Sequence, residues 1–343
     1  MKSIDVHQAN VTGLGAEKFA AGLIKHLLGF SKISIKTVYI SSFISASQYG
    51  PDTKITFVDY FLGGLSRLFE ICFWRLYRRQ NNELLVLGDL PVNTRAKQYV
   101  LCHQSLMFKQ YPIFTLLFFK FSLFRFLFRL FLKKGDVVIV QTKEMAKNVR
   151  SIVRKGVEVE VLDLNSNFFG WPEFSRQGRR NLSKDCEVFE LVYPAAFYPH
   201  KNHFLLDMID ITNSFKIFLT IEEHQVGKAE KEIECIGRVS RDEIFELYRR
   251  VDALLFLSSN ESLGMPILEA VKCNLPIICP YAEYTKELDS ENCFFFDIQN
   301  PSSLLCAIDL AKRKILEGWW PDWDFDAVAT NAKSVAVEDI ILR

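Results

Sequence analysis

The feature that most constrains the fold is an alternation of short apolar segments with longer amphipathic segments, which runs along the chain twice. In the first run, apolar stretches such as 3–8 (SIDVHQ) and 136–142 (DVVIVQT) flank helical patterns, and in the second run 188–195 (VFELVYPA) and 275–280 (LPIICP) do the same. Strands that alternate with helices form parallel sheets covered on both faces. The sequence therefore predicts an α/β protein with two doubly wound, Rossmann-like domains.

A charged stretch separates the two runs and sets the predicted domain boundaries. The chain has 343 residues, which is long for one domain of about 100–200 residues. Residues 173–186 lose hydrophobicity and gain charge, so we interpret them as the linker between domains at 1–172 and 187–325. We expect the last segment, 326–343, to pack back on the N-terminal domain. Two such domains would face a crevice, and ligands of doubly wound sheets bind beyond the carboxyl ends of the strands.

Charge and cysteine content narrow the class of protein. The formal net charge is +1, which gives no indication of a nucleic-acid partner. None of the eight cysteines forms a Cys-x-x-Cys pair, and several lie in apolar runs, as expected for free thiols in a reducing compartment. The N-terminal segment alternates like a first strand and lacks the apolar region of a signal peptide. These features predict a cytoplasmic location.

The most informative segment is a predicted strand, loop and helix at 253–272. The strand ends at Ser258, the loop carries Glu261 and Gly264, and the helix begins near Met265 and Pro266. Proline is well tolerated in a first helical turn, because its missing N–H would have no partner there. The free N–H groups and the positive end of the helix suit a phosphate, and Gly264 lets a ligand approach the backbone closely.

Glu261 and Glu269 lie eight positions apart, in the loop and in the helix. One carboxylate can face a sugar near the loop while the other accepts hydrogen bonds from vicinal hydroxyls. The segment resembles the Glu-x7-Glu signature of the family 4 retaining glycosyltransferases, in a frame formed by Ser258, Glu261, Gly264, Pro266, Glu269 and Ala270. The alternative is two surface carboxylates at a helix start, where the dipole favours them.

The resemblance implies a GT-B fold and a nucleotide-diphosphate sugar as donor, bound by the C-terminal domain, with the acceptor on the N-terminal side. It places Glu269 on the ribose hydroxyls of the donor and Glu261 on the transferred sugar, with Gly264 and Met265 beside the donor. Family members of this kind need no bound metal, so we predict no metal and no cofactor beyond the nucleotide-sugar substrate.

Lys201 opens a predicted helix at 201–210, right after a strand and a proline-containing loop (YPAAFYPHKN), where its ammonium can meet a diphosphate. It resembles the phosphate-binding lysine of the family, which usually comes with an arginine five residues earlier. Ala196 occupies that position here, and Arg238, after Gly237, is a candidate for the second positive charge. The alternative for Lys201 is a solvated lysine at a helix start.

In the N-terminal half, Gly13 and Gly15 lie between the first strand and its helix, where backbone N–H groups can approach the donor pyrophosphate or the acceptor. Lys18 stands where a dinucleotide fingerprint needs its third glycine, which counts against a dehydrogenase. His103 ends a strand and resembles the family's histidine at the reaction centre, although a lone histidine is often structural. His7 and Asp89 are weaker candidates for the same cleft.

A phenylalanine-rich segment at 106–134 is unusual. Its longest uncharged run, 110–119, is too short for a membrane-spanning helix of about 20 residues. Arg125, Arg129 and Lys133 recur every four residues, so an interfacial helix could place them at anionic headgroups. Residues 66–79 form a second candidate, and the alternative is that both are core or interdomain helices.

The resemblance implies a retaining, metal-independent glycosyltransferase of the hexosyltransferase type, similar to enzymes of bacterial surface-polysaccharide biosynthesis. With the two candidate interfacial helices, it predicts a saccharide acceptor, expected to be lipid-linked at the inner face of the cell membrane. Two alternatives stay open. One is a GT-B sugar-nucleotide epimerase or hydrolase, and the other is a catalytically inactive membrane partner, which Ala196 would favour.

Overall fold

The computed structural model describes residues 1–9, 11, 14–41, 49, 53–58, 64–78, 82–109, 111–164, 188–210, 214–225, 232–261, 263–282, 284–286, 288–329 and 334–343. The chain divides into two compact units. The first unit comprises Met1–Trp171 and Ala329–Arg343, and the second comprises Pro172–Val328. The predicted linker at 173–186 lies outside the described residues.

The first unit is built on a parallel eight-stranded sheet. Numbered along the chain, its strands are β1 (Lys2–His7), β2 (Ile33–Ile40), β3 (Lys54–Phe57), β4 (Glu83–Val86), β5 (Gln98–Cys102), β6 (Val137–Val140), β7 (Glu158–Leu162) and β14 (Ser334–Val335). Their spatial order is β14-β7-β6-β5-β4-β1-β2-β3. The direction of the chain across the sheet therefore reverses between β1 and β4, and the loops after these strands share the carboxyl edge.

In the described part of the first unit, the α-helices are α1 (Leu14–Leu28), α2 (Gly64–Tyr77), α3 (Leu116–Phe131), α4 (Lys143–Ile152) and α9 (Val337–Leu342). Trp74 from α2 and Phe121 and Phe128 from α3 join one buried cluster with the apolar side chains of the central strands. Thr115 starts α3 because its hydroxyl accepts a hydrogen bond from the backbone N–H of Phe118 at 3.1 Å. Both α2 and α3 are therefore packed helices of the first unit.

The C-terminal segment belongs to the first unit from Ala329 onward. Strand β14 pairs with β7 in register Ser334 to Val161. The helix that follows is tied down by Tyr99, whose hydroxyl donates to the carbonyl of Ile341 at 3.2 Å. These contacts join residues far apart in sequence.

The second unit contains a parallel six-stranded sheet. Its strands are β8 (Phe189–Tyr193), β9 (Phe215–Leu219), β10 (Ile233–Cys235), β11 (Ala253–Leu255), β12 (Ile277–Pro280) and β13 (Cys293–Phe296), in the spatial order β10-β9-β8-β11-β12-β13. The helices are α5 (Arg241–Arg250), α6 (Met265–Lys272), α7 (Pro301–Leu316) and α8 (Phe325–Ala329). The strand order reverses between β8 and β11, which is where doubly wound sheets bind ligands.

The predicted fold of two doubly wound parallel sheets is confirmed. One predicted element is wrong, because 201–210 does not form a regular α-helix. Instead, 3₁₀ turns at Pro199–Lys201 and His203–Met208 are separated by Asn202, whose φ of 52° is left-handed. The side chain of Asn202 donates to the carbonyl of Leu257 at 2.9 Å, and this contact interrupts the helical path.

Two further features concern the described part of the chain only. The seven cysteines that fall within it form no disulfide with one another. None of the helices defined above is both long and apolar enough to cross a membrane.

Candidate active site

The loops that follow β8 and β11 meet at the reversal point of the second sheet. Lys201, after β8, donates from Nζ to Oε1 of Glu261, after β11. The backbone N–H of Ser259 donates to the carbonyl of His200 at 2.8 Å, which joins the two loops a second time. The side chains of Lys201 and Glu261 are only 14% and 15% exposed, so this ion pair is largely shielded from water. The structure thus brings together two residues predicted separately for the diphosphate and the sugar.

The buried Tyr193 and the half-buried Tyr284 donate hydrogen bonds to the two loops that carry this pair. Tyr193 donates from its hydroxyl to the carbonyl of Lys201 at 2.6 Å, and Tyr284 donates to the carbonyl of Ser258 at 2.5 Å. Burial raises the pKa of Tyr193 well above its usual value, and the charge of Glu261 raises it further. Burial, Cys279 and Glu261 raise the pKa of Tyr284 in the same direction. Both phenols therefore remain protonated donors that hold the two loops in place.

His203 follows Lys201 by two positions and is buried. Its ring packs against Tyr193, with ring centroids 4.9 Å apart, and against Phe197 at 5.5 Å. Burial and the charge of Lys201 lower the pKa of His203 to about 4. The imidazole is therefore neutral at physiological pH and adds no positive charge to the site.

Glu269 lies in α6 and is buried, with 8% of its surface exposed. Its Oε2 accepts a hydrogen bond of 2.9 Å from the hydroxyl of Tyr248 in α5. A carboxylate has about four acceptor positions, and the phenol of Tyr248 takes one of them. Sequence reasoning missed Tyr248, although a hydroxyl on the buried face of an amphipathic helix indicates that a polar partner is present.

Gly264 caps the N-terminus of α6 at a φ of 70°, with Pro266 in the first turn. A Cβ at this position would lie 3.3 Å from Cδ1 of Ile267. Glycine is therefore required by the left-handed backbone as well as by any close approach of a ligand. Met265 is the first residue of the helix, so its backbone N–H belongs to the turn whose N–H groups lack intrahelical partners.

Arg238 lies in a different part of the second unit. It is exposed and follows β10, and β9 separates β10 from β8 in the sheet. Among the described residues, Arg238 forms no ion pair with Glu261, whose cationic partner is Lys201. Ala196, in the loop that carries Lys201, is exposed and adds no positive charge.

In the first unit, His103 lies at the end of β5, next to Asp89. One carboxylate oxygen of Asp89 accepts from the backbone N–H groups of His103 at 2.6 Å and Gln104 at 2.9 Å. The same oxygen is 3.3 Å from Nδ1 of the His103 ring. Asp89 itself has a left-handed φ of 66°, which this triple contact compensates. Asp89 therefore positions His103 rather than acting independently.

The other candidates of the first unit are distributed differently. His7 is completely buried, packs edge-on against Trp74 at 4.9 Å and lies 3.4 Å from Glu70, so it is a core residue. Gly15 belongs to the first turn of α1 rather than to a loop, because the helix begins at Leu14. Gly13 lies outside the described residues. Gln141, which sequence reasoning missed, is buried and directly follows Val140, the residue that pairs with Cys102 next to His103.

No group of three or more histidine, cysteine, aspartate or glutamate side chains in the described ranges is arranged to hold a metal ion. The Asp-x-Asp sequences at 322–326 lie within the described ranges, and their carboxylates do not form such a group.

Comparisons with known proteins add a family match. Residues 214–313 match the family model for glycosyl transferases group 1. The O-antigen biosynthesis glycosyltransferase WclY of Escherichia coli is 28% identical over 138 residues, which covers 40% of this chain and 36% of WclY. An uncharacterised glycosyltransferase of Methanocaldococcus jannaschii is 27% identical over 210 residues, covering 56% of this chain and 52% of that protein. The matched region thus spans about a third to a half of these relatives.

Solved structures resemble the whole chain. WaaG, a glycosyltransferase involved in lipopolysaccharide biosynthesis, superposes with a TM-score of 0.69 at 11% identity, covering 98% of each chain. HepE from Anabaena, solved with UDP and glucose, gives a TM-score of 0.66 at 15% identity and covers 100% of this chain and 98% of HepE. The chain therefore has the fold of the GT-B glycosyltransferases, and its residues 214–313 match the group 1 glycosyl transferase family.

Proposed function

We propose that this protein is a retaining glycosyltransferase that moves a sugar from a nucleotide-diphosphate sugar to a saccharide acceptor in cell-surface polysaccharide biosynthesis. The observation that carries the proposal is the pairing of Lys201 with Glu261 at the reversal point of the second sheet, beside the helix that holds Glu269. The group 1 match across this region supports it. The names of WclY and WaaG, and the UDP and glucose bound to HepE, point to the same substrate classes.

Each part of the donor has a matching group in the second unit. The ammonium of Lys201 and the free N–H groups at the start of α6 suit the diphosphate. The buried carboxylate of Glu269 suits two vicinal ribose hydroxyls, because an ionised carboxylate only accepts hydrogen bonds. Glu261, in the loop before α6, is assigned to hydroxyls of the transferred sugar. His103 of the first unit is assigned to the donor phosphate or the acceptor.

The proposed reaction retains the configuration of the sugar. The bond between the anomeric carbon and the diphosphate oxygen breaks, and its electron pair stays on the diphosphate. The acceptor oxygen bonds to the anomeric carbon from the same face, and its proton passes to the departing phosphate oxygen. Lys201 and the α6 dipole stabilise the negative charge that develops on the leaving group, so we propose that no metal is needed.

We also propose that the first unit lies against a membrane surface at the inner face of the cell membrane, where a lipid-linked acceptor would be held. The exposed side of α3 carries large apolar side chains, with Leu116 at 90%, Phe119 at 57% and Phe126 at 60% exposure. On α2, Phe69 is 53% and Leu76 75% exposed. Large exposed apolar faces on packed helices are typical of interaction surfaces.

The charges on α3 differ from the predicted basic stripe. Arg125 donates to the carbonyl of Met107 at 2.9 Å, and Lys133 donates to the carbonyls of three residues that precede β5. These two side chains therefore support the first unit instead of reaching toward headgroups. The exposed cations on α3 are Lys120 and Arg129. The main support for the membrane proposal is therefore the exposed apolar surface of α2 and α3.

A panel of UDP- and GDP-sugars tests the proposed activity, with wild type compared with Glu269→Ala. The matched control is Glu246→Ala, which removes a carboxylate from α5 that is 63% exposed. A donor at about 100 times its dissociation constant stabilises the folded state by about 2.7 kcal/mol. We expect one donor to raise the Tm of wild type and of the control but not of Glu269→Ala, and turnover to persist in EDTA.

An inactive membrane partner is the second candidate, favoured by the alanine at position 196. It predicts that no nucleotide-sugar changes the Tm of wild type and that Glu269→Ala behaves like the control. A complete panel with that result, repeated in the presence of lipid vesicles, would refute the transferase proposal and favour the partner.

A further inference from the structure

Tyr248 is buried against the carboxylate assigned to the donor ribose. Its side chain is completely inaccessible, and its hydroxyl donates to Oε2 of Glu269 at 2.9 Å. The two residues lie on different helices, α5 and α6, and are 21 positions apart in sequence. The contact therefore ties the orientation of the Glu269 carboxylate to the position of a neighbouring helix.

The chemistry of the contact has a fixed direction. Burial raises the pKa of Tyr248 well above its usual value, and Glu269 and Cys273 raise it further, so the phenol stays protonated and donates. A phenylalanine would fill the same apolar volume without burying a hydroxyl, which is costly unless it is hydrogen-bonded. The hydroxyl is thus explained by its carboxylate partner rather than by packing.

We infer that Tyr248 is a positioning residue that orients the Glu269 carboxylate toward the two ribose hydroxyls of the nucleotide. This inference rests on the proposed function, because it takes the ribose as the ligand of Glu269. With one oxygen held by the phenol, the carboxylate cannot rotate freely, and its remaining acceptor positions keep one orientation. Preorganisation of this kind makes each ligand hydrogen bond more favourable, because less rotational freedom is lost on binding.

The test measures ribose preference, since a purely structural role would not change it. Dissociation constants are measured by calorimetry for UDP and GDP and for their 2′,3′-dideoxy forms, and the tighter-binding base is used. Two hydrogen bonds to a charged group give wild type a preference for the ribose form on the order of a hundredfold. We expect Tyr248→Phe to lower this preference to about tenfold.

Two controls separate positioning from general damage. Tyr99→Phe removes a buried hydroxyl of the first unit, one that donates to the carbonyl of Ile341, and should leave the ratio of ribose to dideoxy binding unchanged. In a Glu269→Gln background, Tyr248→Phe should change the ratio no further, because the charged acceptor is already gone. This double variant also serves if Tyr248→Phe alone leaves Glu269 too poorly paired to fold.

The outcomes are distinguishable. A reduced ratio in Tyr248→Phe and an unchanged one in Tyr99→Phe support the inference. An equal ratio in wild type and Tyr248→Phe overturns it while leaving the proposed function intact. If wild type binds nucleotides but shows no ribose preference, the assignment of Glu269 falls and the role of Tyr248 falls with it. If wild type binds no nucleotide at all, the proposed function itself fails.

Discussion

Replacing Glu261 with glutamine should lower the stability of the ligand-free protein and tighten its binding of a diphosphate. Lys201 and Glu261 are 14% and 15% exposed, so each charge depends on the other rather than on water. The amide keeps the size and one acceptor oxygen but leaves the ammonium without a counter-ion. A diphosphate can then supply the missing negative charge, and it no longer meets repulsion from the carboxylate.

The magnitudes follow from this partial burial. Two charges 4 Å apart interact by about 4 kcal/mol at an effective dielectric constant of 20, and desolvation offsets part of this. We therefore expect Glu261→Gln to lower the free energy of unfolding by about 2 kcal/mol, between the values for surface and fully buried pairs. Removing the like charge should tighten binding of a diphosphate about tenfold. Turnover should fall by about 10–100-fold, because a charged contact to the transferred sugar is lost.

The assay combines thermal unfolding with calorimetric titration of UDP, GDP and inorganic pyrophosphate, the last being independent of the base. Lys201→Met is the matched control, since it breaks the same pair from the other side. It should also lower the Tm, but it should abolish binding of pyrophosphate. If Glu261→Gln leaves the Tm unchanged and weakens pyrophosphate binding, Glu261 does not act as the counter-ion of Lys201, and this reasoning is refuted.

Three further predictions concern other parts of the molecule. The pKa of His203 is lowered to about 4, so between pH 6.5 and 4 this imidazole is protonated in the unfolded chain but not in the folded one. The free energy of unfolding should therefore fall as the pH falls through this range. His203→Phe should flatten this part of the plot of Tm against pH. The double substitution Phe119→Ser and Phe126→Ser should reduce flotation of the protein with phosphatidylglycerol vesicles. The control Phe204→Ser, at an exposed site of the second unit, should not reduce it. Equal flotation of all variants would contradict the membrane proposal. Thr115→Ala should cost about 1 kcal/mol of stability by removing the α3 cap and Thr115→Ser should not, as measured by urea unfolding.

Much of the architecture could be predicted from local patterns. The strands of both units are short apolar runs bounded by polar residues, and the helices carry apolar residues at helical spacing, so their order along the chain was readable. Capping signals were equally local, as in Ser240 and Glu243, which exchange hydrogen bonds at the start of α5. The segment at 201–210 was the exception, because the left-handed Asn202 takes its conformation from a contact with Leu257, on a different strand end.

The exposed face of α3 shows why burial was harder to predict. Phenylalanine and leucine occur all around this helix, so its sequence does not reveal which side packs on the sheet. The structure buries Phe121 and Phe128 and exposes Phe119 and Phe126. It also shows that Arg125 donates to the carbonyl of Met107, which lies outside this helix, and the periodicity of charges could not indicate this contact.

The two doubly wound units and the frame that holds Glu261, Gly264 and Glu269 could be predicted, because they follow from patterns within consecutive strand–loop–helix segments. The pairing of Lys201 with Glu261, 60 positions away, and the contact of Tyr248 with Glu269 could not, because they depend on the folded chain. Strand order and burial bring such partners together. β8 and β11 become neighbours only because the strand order of the sheet reverses between them. A hydroxyl needs a carboxylate as its hydrogen-bond partner only when both groups are removed from water.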